Sequence, residues 1–285
     1  VRILLTGRNG QVGRELGREL QTLGEVVAHD HASLDLADSD QIVKTVRDAK
    51  PAIIVNAAAY TAVDKAESEQ ELARAVNTRA PGILAEEAAR LGALLLHYST
   101  DYVFDGNKPG AYTEQDKPAP LSVYGRTKLE GELAIQASGC RHLIFRTCWV
   151  YGPHGKNFLL TMLRLAAEKN ELRVVSDQFG TPTSSSAIAT ATVRVLTEHP
   201  DAGGLYHMSA AGQTSWYGFA SAILRGAGLS TPVIPIPSSA YPTPAARPHN
   251  SVLDNAAFKQ DFGFGLPNWE DGLSQCLLRI KAQQA

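Results

Sequence analysis

The chain has 285 residues with 27 Lys and Arg against 29 Asp and Glu, so it lacks the basic excess that a sequence-independent grip on nucleic acid draws on. Its length allows one large α/β unit or roughly two domains, with a core that needs no disulfides. Cys140, Cys148 and Cys276 form neither a CxxC pair nor a framework, no apolar run approaches the ~20 residues of a membrane helix, and residues 2–7 are too short for a signal peptide's apolar region. The expectation is a cytoplasmic protein with reduced thiols and neither a membrane nor a nucleic-acid partner.

Residues 3–6 predict a buried strand that runs directly into Gly7-Arg8-Asn9-Gly10-Gln11-Val12-Gly13. Behind it Val12, Leu16, Leu20 and Leu23 recur as one stripe of a helix that ends at Gly24. Residues 25–30 read as a second strand with Asp30 at its tip. Strand, glycine turn, helix, strand and acid together make a dinucleotide-binding pattern. Gly7 would permit the tight turn, Gly10 the approach of a pyrophosphate, and Gly13 close helix–strand packing, while the helix start offers free N–H groups to phosphate. The G-x-x-G-x-x-G spacing is one residue wider at the front than the commonest fingerprint, so its weight comes from this context. Asp30 would bond a free ribose 2′-hydroxyl and favour NADH, whereas Arg8 could neutralise a 2′-phosphate and admit NADPH. Both coenzymes stay open.

Ile42, Val43 and Val46 mark a short helix, and residues 52–59 a buried strand. A helical region over 67–91 is punctuated by Pro81-Gly82, and a strand over 94–99 follows. A loop rich in Gly and Pro leads to a helix from Tyr124 to about Ala137, then a strand over 142–146 that runs into Trp149. This alternation predicts a Rossmann-like, doubly wound parallel sheet, in which ligands bind beyond the carboxyl ends of the strands. Gly7, Asp30, Ala59, Thr100 and Trp149 all fall at such ends.

Past Gly152 the regularity loosens. Residues 158–169 predict a helix, 173–175 a strand and 187–198 a helix, while six prolines in 231–248 restrict that segment to a loop or sheet edge. The expected division is a dinucleotide-binding domain over 1–150 plus roughly 171–200. A smaller, partly discontinuous C-terminal substrate lobe would span roughly 151–170 and 201–285.

Chemistry gathers at Ser99-Thr100-Asp101 and Tyr124-x-x-x-Lys128. Residues four apart on a helix share a face, and a hydroxyl at a strand end can reach that face. A phenol titrates near 10, and an adjacent ammonium favours its phenolate. Positioned proton transfer of this kind is worth ~10²–10⁴ in rate. Tyr-x-x-x-Lys by itself reads equally as a solvated helix face; the strand-end hydroxyl and the upstream glycine turn turn it into equipment for reducing a ketone. His97, inside an apolar strand, reads as a satisfied core residue, and the eight histidines form no HExxH pattern.

These motifs, with Asn56-Ala57-Ala58-Ala59, resemble the extended short-chain dehydrogenase/reductases. More narrowly, residues 55–67, 97–104, 145–151 and 245–251 resemble the dTDP-4-dehydrorhamnose reductase family, over essentially the whole chain. The resemblance implies hydride transfer from NADPH or NADH to C4 of a dTDP-linked 4-keto-6-deoxysugar, giving dTDP-L-rhamnose. It implies that Tyr124 donates the proton, that Lys128 holds the nicotinamide ribose and lowers the tyrosine's pKa, and that Thr100 bonds the keto oxygen. Gly10, Gln11, Val12, Asp30, Asp35, Leu36, Ala59, Tyr60, Thr61 and Tyr98 would line the dinucleotide. Thr100, Asp101 and Trp149 would meet the sugar nucleotide, with Val63, Asn157 and Arg247 as further substrate-side candidates. Arg247 could pair a pyrophosphate through its planar fork. The resemblance also allows a homodimer. Relatives that bridge such dimers with a metal do so through acidic residues; Glu15 is available, but residues 183–186 offer no acid, so no metal is expected. A dinucleotide-holding regulatory subunit without activity, and a reductase or epimerase for another nucleotide sugar, are the competing readings.

Overall fold

The computed structural model describes residues 1–284, and its first half alternates strand and helix. β1 (Arg2–Thr6), α1 (Gln11–Glu19) and β2 (Glu25–His29) form the opening unit, followed by α2 (Ser39–Ala49) and β3 (Ile53–Asn56). Asp38 starts α2 by accepting from the Asp40 and Gln41 N–H groups, the usual work of an N-cap carboxylate. α3 (Val63–Ala66), α4 (Gln70–Arg74), a π-helical turn (Ala75–Arg79) and α5 (Ala80–Leu91) lead to β4 (Leu94–Thr100). α6 (Val123–Ala137), started by the Ser122 hydroxyl on the Gly125 N–H, precedes β5 (His142–Thr147).

The second half is built from β6 (Val150–Tyr151), α7 (Phe158–Glu168), β7 (Leu172–Val175), β8 (Phe179–Gly180), β9 (Thr183–Ser184) and α8 (Ser185–Glu198). β10 (Gly204–His207), β11 (Thr214–Ser215), α9 (Trp216–Ala227), β12 (Val233–Ile236), α10 (Ala256–Phe262) and α11 (Trp269–Gln284) complete it.

Six strands form one parallel sheet in the order β10-β5-β4-β3-β1-β2. Its burial follows from the sequence alternation. Ile3 and Leu5 face α1, α8 and α10 through Leu16, Ile188 and Phe258, whereas Leu4 faces α2 and α5 through Ile42 and Leu84. A parallel sheet covered on both faces is the expected outcome of strand–helix–strand crossovers. Because β1 lies between β2 and β3, chain connections leave it in opposite directions, and a crevice opens at its carboxyl end.

Three sequence expectations shift. The strand expected over 52–59 ends at Asn56, because its neighbour β1 ends at Thr6 and turns away at Gly7. The interruption expected at Pro81 lies earlier, in the π turn, and Pro81 occupies the first turn of α5, where a missing N–H costs nothing. Residues 204–207, expected in the substrate lobe, instead form the sixth strand of the main sheet, with Phe258 and Phe262 of α10 in the same core. The remaining lobe has its own core of Leu159, Met162, Phe219, Ile223, Trp269 and Leu273. In the proline-rich segment β12 pairs only with β7, so Pro235 sits in a two-stranded edge. No helix among the described residues is long and apolar enough to cross a membrane.

Candidate active site

The glycine turn closes on the sheet. Gly7 has φ +74°, and a Cβ there would stand 2.8 Å from the Ala58 nitrogen. A Cβ on Gly13 would stand 2.0 Å from the Gly7 carbonyl oxygen. Gly10 is different: a Cβ would meet only the Gly7 carbonyl, at 3.2 Å, so its outer side is open. Gly10 is also the N-cap of α1 and brings no capping side chain, leaving first-turn N–H groups for an anion. The Gln11 Oε1 atom, buried beside Val12, has no partner, while its Nε2 donates to the Val150 carbonyl. An open glycine and an uncapped helix start fit a dinucleotide phosphate, and the orphaned amide oxygen suits a donor such as a ribose hydroxyl.

At the tip of β2, Asp30 accepts from Ser33 and from Asn9 Nδ2 at 2.9 Å, and Arg8 Nε lies 3.6 Å away. Ser33, followed by Arg8 and Asn9, holds the Asp30 carboxyl below its usual range. The acid and the base expected to compete over a 2′-phosphate are thus partners, with Arg8 about half exposed. Asp35 accepts from the Ala37 N–H, and Leu36 is buried against Ile42 and Val46. Ala59, Tyr60 and Thr61 form the irregular run past β3. Asn77, at the centre of the π turn, clamps Tyr60 by accepting from its N–H at 2.8 Å and donating to its carbonyl at 3.1 Å.

Thr100 ends β4, and Tyr124 and Lys128 lie on one face of α6. Burial pushes the Tyr124 phenol up to about 12; the Thr100 hydroxyl beside it pulls the other way, and Asp101 adds to the rise. A lowered phenol was expected, but desolvation dominates here. Lys128 is 1% exposed, and burial brings its ammonium down to about 8 against the opposing pull of Glu132. Its Nζ donates to the Tyr98 carbonyl at 2.6 Å and lies 3.0 Å from His97 Nε2. Tyr98 therefore meets the site through its backbone; its ring is in the core on the other face, with its hydroxyl 2.7 Å from that of Thr192.

On the substrate side, Asp101 is 2% exposed, accepts from the Thr100 hydroxyl at 3.0 Å, and keeps Oδ2 without a partner. Burial raises its carboxyl to about 7. Trp149 adopts φ +47° and stacks on Trp216 with ring centroids 3.5 Å apart; Phe158 packs on the far ring. Val63 opens α3 and is half-buried. Two candidates are otherwise engaged. Asn157 caps α7 by accepting from the Leu160 N–H and donates to the Gly152 and His154 carbonyls, so its amide is spent on the turn. Arg247 forms a two-pronged pair with Asp64 at 3.0 and 2.8 Å, so the fork expected for a pyrophosphate meets a carboxylate. Glu15, the one acid available for a metal bridge, is buried and paired with Arg279 at 2.8 Å.

The sequence assigned no role to Asn56 and Tyr102, which lie within its motif blocks, and did not single out Asn77 or Trp216. Tyr102 packs edge-on against Tyr124 at 5.6 Å. Its place directly after Thr100-Asp101 was a usable signal; the others depend on contacts remote in sequence.

Residues 1–282 match the family model described as RmlD substrate binding domain. The chain is 49% identical to a dTDP-4-dehydrorhamnose reductase of Burkholderia thailandensis, covering 99% of this chain and 100% of that one. It is 48% identical to the Escherichia coli K12 reductase of the same name, covering 96% of each. The chain belongs to the dTDP-4-dehydrorhamnose reductase family. Among solved structures, the Bacillus anthracis reductase in complex with NADP superposes with a TM-score of 0.94 at 35% identity, covering 98% of this chain and 99% of that one. A Thermus thermophilus UDP-glucose 4-epimerase shares the fold, with a TM-score of 0.85 at 20% identity over 99% of each chain.

Proposed function

We propose that the protein reduces the C4 ketone of dTDP-4-dehydro-L-rhamnose to dTDP-L-rhamnose with NADPH or NADH, Tyr124 supplying the proton. The observation that carries the reading is Lys128, buried one turn past Tyr124, with the Thr100 hydroxyl beside the phenol. Gly10 and the first-turn N–H groups of α1, that of Gln11 among them, would hold the coenzyme's phosphates, and Asp30 with Arg8 its adenosine ribose. Bound there, the reduced nicotinamide supplies a hydride to C4.

As the carbon accepts that pair, the carbonyl π electrons pass to oxygen, which takes the phenolic proton of Tyr124. A phenol raised to about 12 stays protonated at neutral pH, as a donor must. Once the proton has left, the Lys128 ammonium favours the phenolate. On ketone binding the Thr100 hydroxyl would turn from Asp101 Oδ1 to donate to the ketone oxygen, and the unpartnered Oδ2 of Asp101 can accept from a sugar hydroxyl. Trp149, fixed by its stack on Trp216, supplies a flat apolar wall. Three buried, unpaired cysteines agree with a reducing, cytoplasmic setting.

The test follows NAD(P)H absorbance with purified protein and dTDP-4-keto-L-rhamnose. Oxidation with either coenzyme supports the reading, and none with both would sink it. Turnover only with GDP- or UDP-linked ketosugars would move the substrate while keeping the chemistry.

A further inference from the structure

Behind Lys128 lies a line of buried polar side chains. Thr6, Asn56 and His97 are register partners across β1, β3 and β4, so their side chains project to the same face of the sheet, the one covered by α2 and α5. They are 1%, 0% and 1% exposed. Thr6 Oγ1 and Asn56 Oδ1 are 2.7 Å apart, Asn56 Nδ2 and His97 Nδ1 3.0 Å, and His97 Nε2 and Lys128 Nζ 3.0 Å. An apolar strand face interrupted by three polar residues in register is costly unless each finds a partner. Here the row ends on the ammonium of the Tyr-x-x-x-Lys helix.

Donor and acceptor rules fix the protons. An ammonium only donates, so His97 Nε2 must accept and its ring proton must sit on Nδ1. Nδ1–H then needs an acceptor, which Asn56 provides with its amide turned so that Oδ1 faces the ring and Nδ2 faces the Thr6 hydroxyl; the two amide orientations occupy the same positions. Each contact in the row then pairs a donor with an acceptor. His97 also stays neutral, because burial and then the Lys128 charge hold the imidazole well below its usual range. The groups facing Lys128 are His97 and the Tyr98 carbonyl from β4 and Glu132 from α6, and Glu132 is itself held by Ser99 and by both prongs of Arg146.

We propose that His97 is a positioning residue for the reduction: Asn56 locks it as the Nδ1–H tautomer, and its Nε2 lone pair holds the Lys128 ammonium charged and in place behind Tyr124. The proposal rests on the ketone reduction above for its kinetic consequence, but not for its structural one. Lys128 has three N–H donors; Tyr98 and His97 take two, leaving one free for a ribose hydroxyl. Removing the His97 acceptor disfavours the charged amine, so the pH above which Lys128 loses its proton falls.

Two measurements test it. Long-range ¹H–¹⁵N spectra of the full chain, with the His97 signals assigned by their loss in His97→Gln, should show a protonated Nδ1, a bare Nε2 and no charging of the ring down to about pH 5. A ring protonated on Nε2, or one that charges near 6.5, overturns the proposal whatever the substrate proves to be. In turnover, His97→Leu should move the alkaline limb of kcat down by about one pH unit and lower kcat at about pH 9 by roughly tenfold, with KM for the ketosugar unchanged within about twofold. His97→Gln, whose amide can accept from Lys128 and donate to Asn56, should recover kcat to within about threefold of the parent. An unshifted limb in His97→Leu, or equal losses in the Leu and Gln variants, overturns the positioning role and leaves a packing role. Asn56→Ala, which frees the ring to take either tautomer, should shift the limb in the same direction and serves if His97→Leu does not fold; no shift there counts against the proposal in the same way.

Discussion

Tyr124 and Asp101 show how burial sets two proton positions a short distance apart. The phenol, raised to about 12, is a donor across the physiological range. Tyr124→Phe keeps the ring and its edge contact with Tyr102 but has no proton to give. Turnover should fall ~10²–10⁴-fold while coenzyme affinity, followed by energy transfer from tryptophan to the reduced nicotinamide, stays within about twofold. Lost coenzyme binding would make Tyr124 structural. Asp101 is raised to about 7 by burial, above its unfolded value of 3.8. The folded chain therefore binds the extra proton between these values, and its stability drops as pH rises from about 4 to 7. Asp101→Asn removes that penalty. The variant should match the parent in denaturant midpoint near pH 4 and exceed it at pH 8 by ~1–4 kcal/mol. An equal difference at both pH values would show that the carboxyl is not desolvated. Thr100, Tyr124 and Lys128 were legible because four-residue spacing and a strand end are local signals. His97 and Asn56 were not: their bonds to Lys128 and to each other span 31 and 41 residues, and an apolar strand around a histidine looks the same with or without them.

At the scale of elements, α6 is fixed by how closely other backbone can approach it. Gly125 lies between Tyr124 and Lys128, and a Cβ there would stand 2.1 Å from the Tyr102 carbonyl oxygen. The turn that carries Thr100 and Asp101 is thus pressed directly against the helix that carries Tyr124. Gly125→Ala should destabilise by roughly 1–3 kcal/mol and lower kcat along with it, because relief of the clash separates the two elements. Gly17 in α1 is the opposite case, since a Cβ would meet only Leu5 Cδ2 at 3.8 Å. Gly17→Ala should raise stability by about 0.5–1 kcal/mol, the ordinary helical gain, with activity unchanged. Thermal melts of both variants check the contrast, and a shared sign would refute it. Sequence periodicity found α1 and the core strands, whose apolar patterns are strong, and the Tyr-x-x-x-Lys run marked α6. It misplaced the break before α5 because proline signals an interruption, whereas the chain absorbs the irregularity in a π turn that presents Asn77 to Tyr60. It also gave no hint of β10, an edge strand of only four residues.

Across the whole molecule, Asp64 and Arg247 tie the stretch past β3 to the proline-rich segment. Asp64 belongs to α3, just past β3 of the main sheet, and Arg247 to the proline-rich segment; the same carboxylate also accepts from the Ala245 N–H at 3.2 Å. Arg247, ahead of the Ala245 N–H, holds the Asp64 carboxyl below its usual range, so the pair is charged at every working pH. Composition marked residues 231–248 as irregular, but no local pattern could name a partner more than 180 residues away. If the pair acts as a tie that shapes the sugar-nucleotide side, either truncation breaks the same contact. Asp64→Ala and Arg247→Ala should then each raise KM for the ketosugar several-fold with kcat and coenzyme affinity nearly unchanged, and the double variant should be no worse than the more impaired single one. Were Arg247 instead to grip the diphosphate on its own, its effect would add to that of Asp64. A double-mutant cycle in KM separates the two cases: coupling energy of ~0.5–3 kcal/mol supports the tie, and simple additivity assigns Arg247 to the ligand.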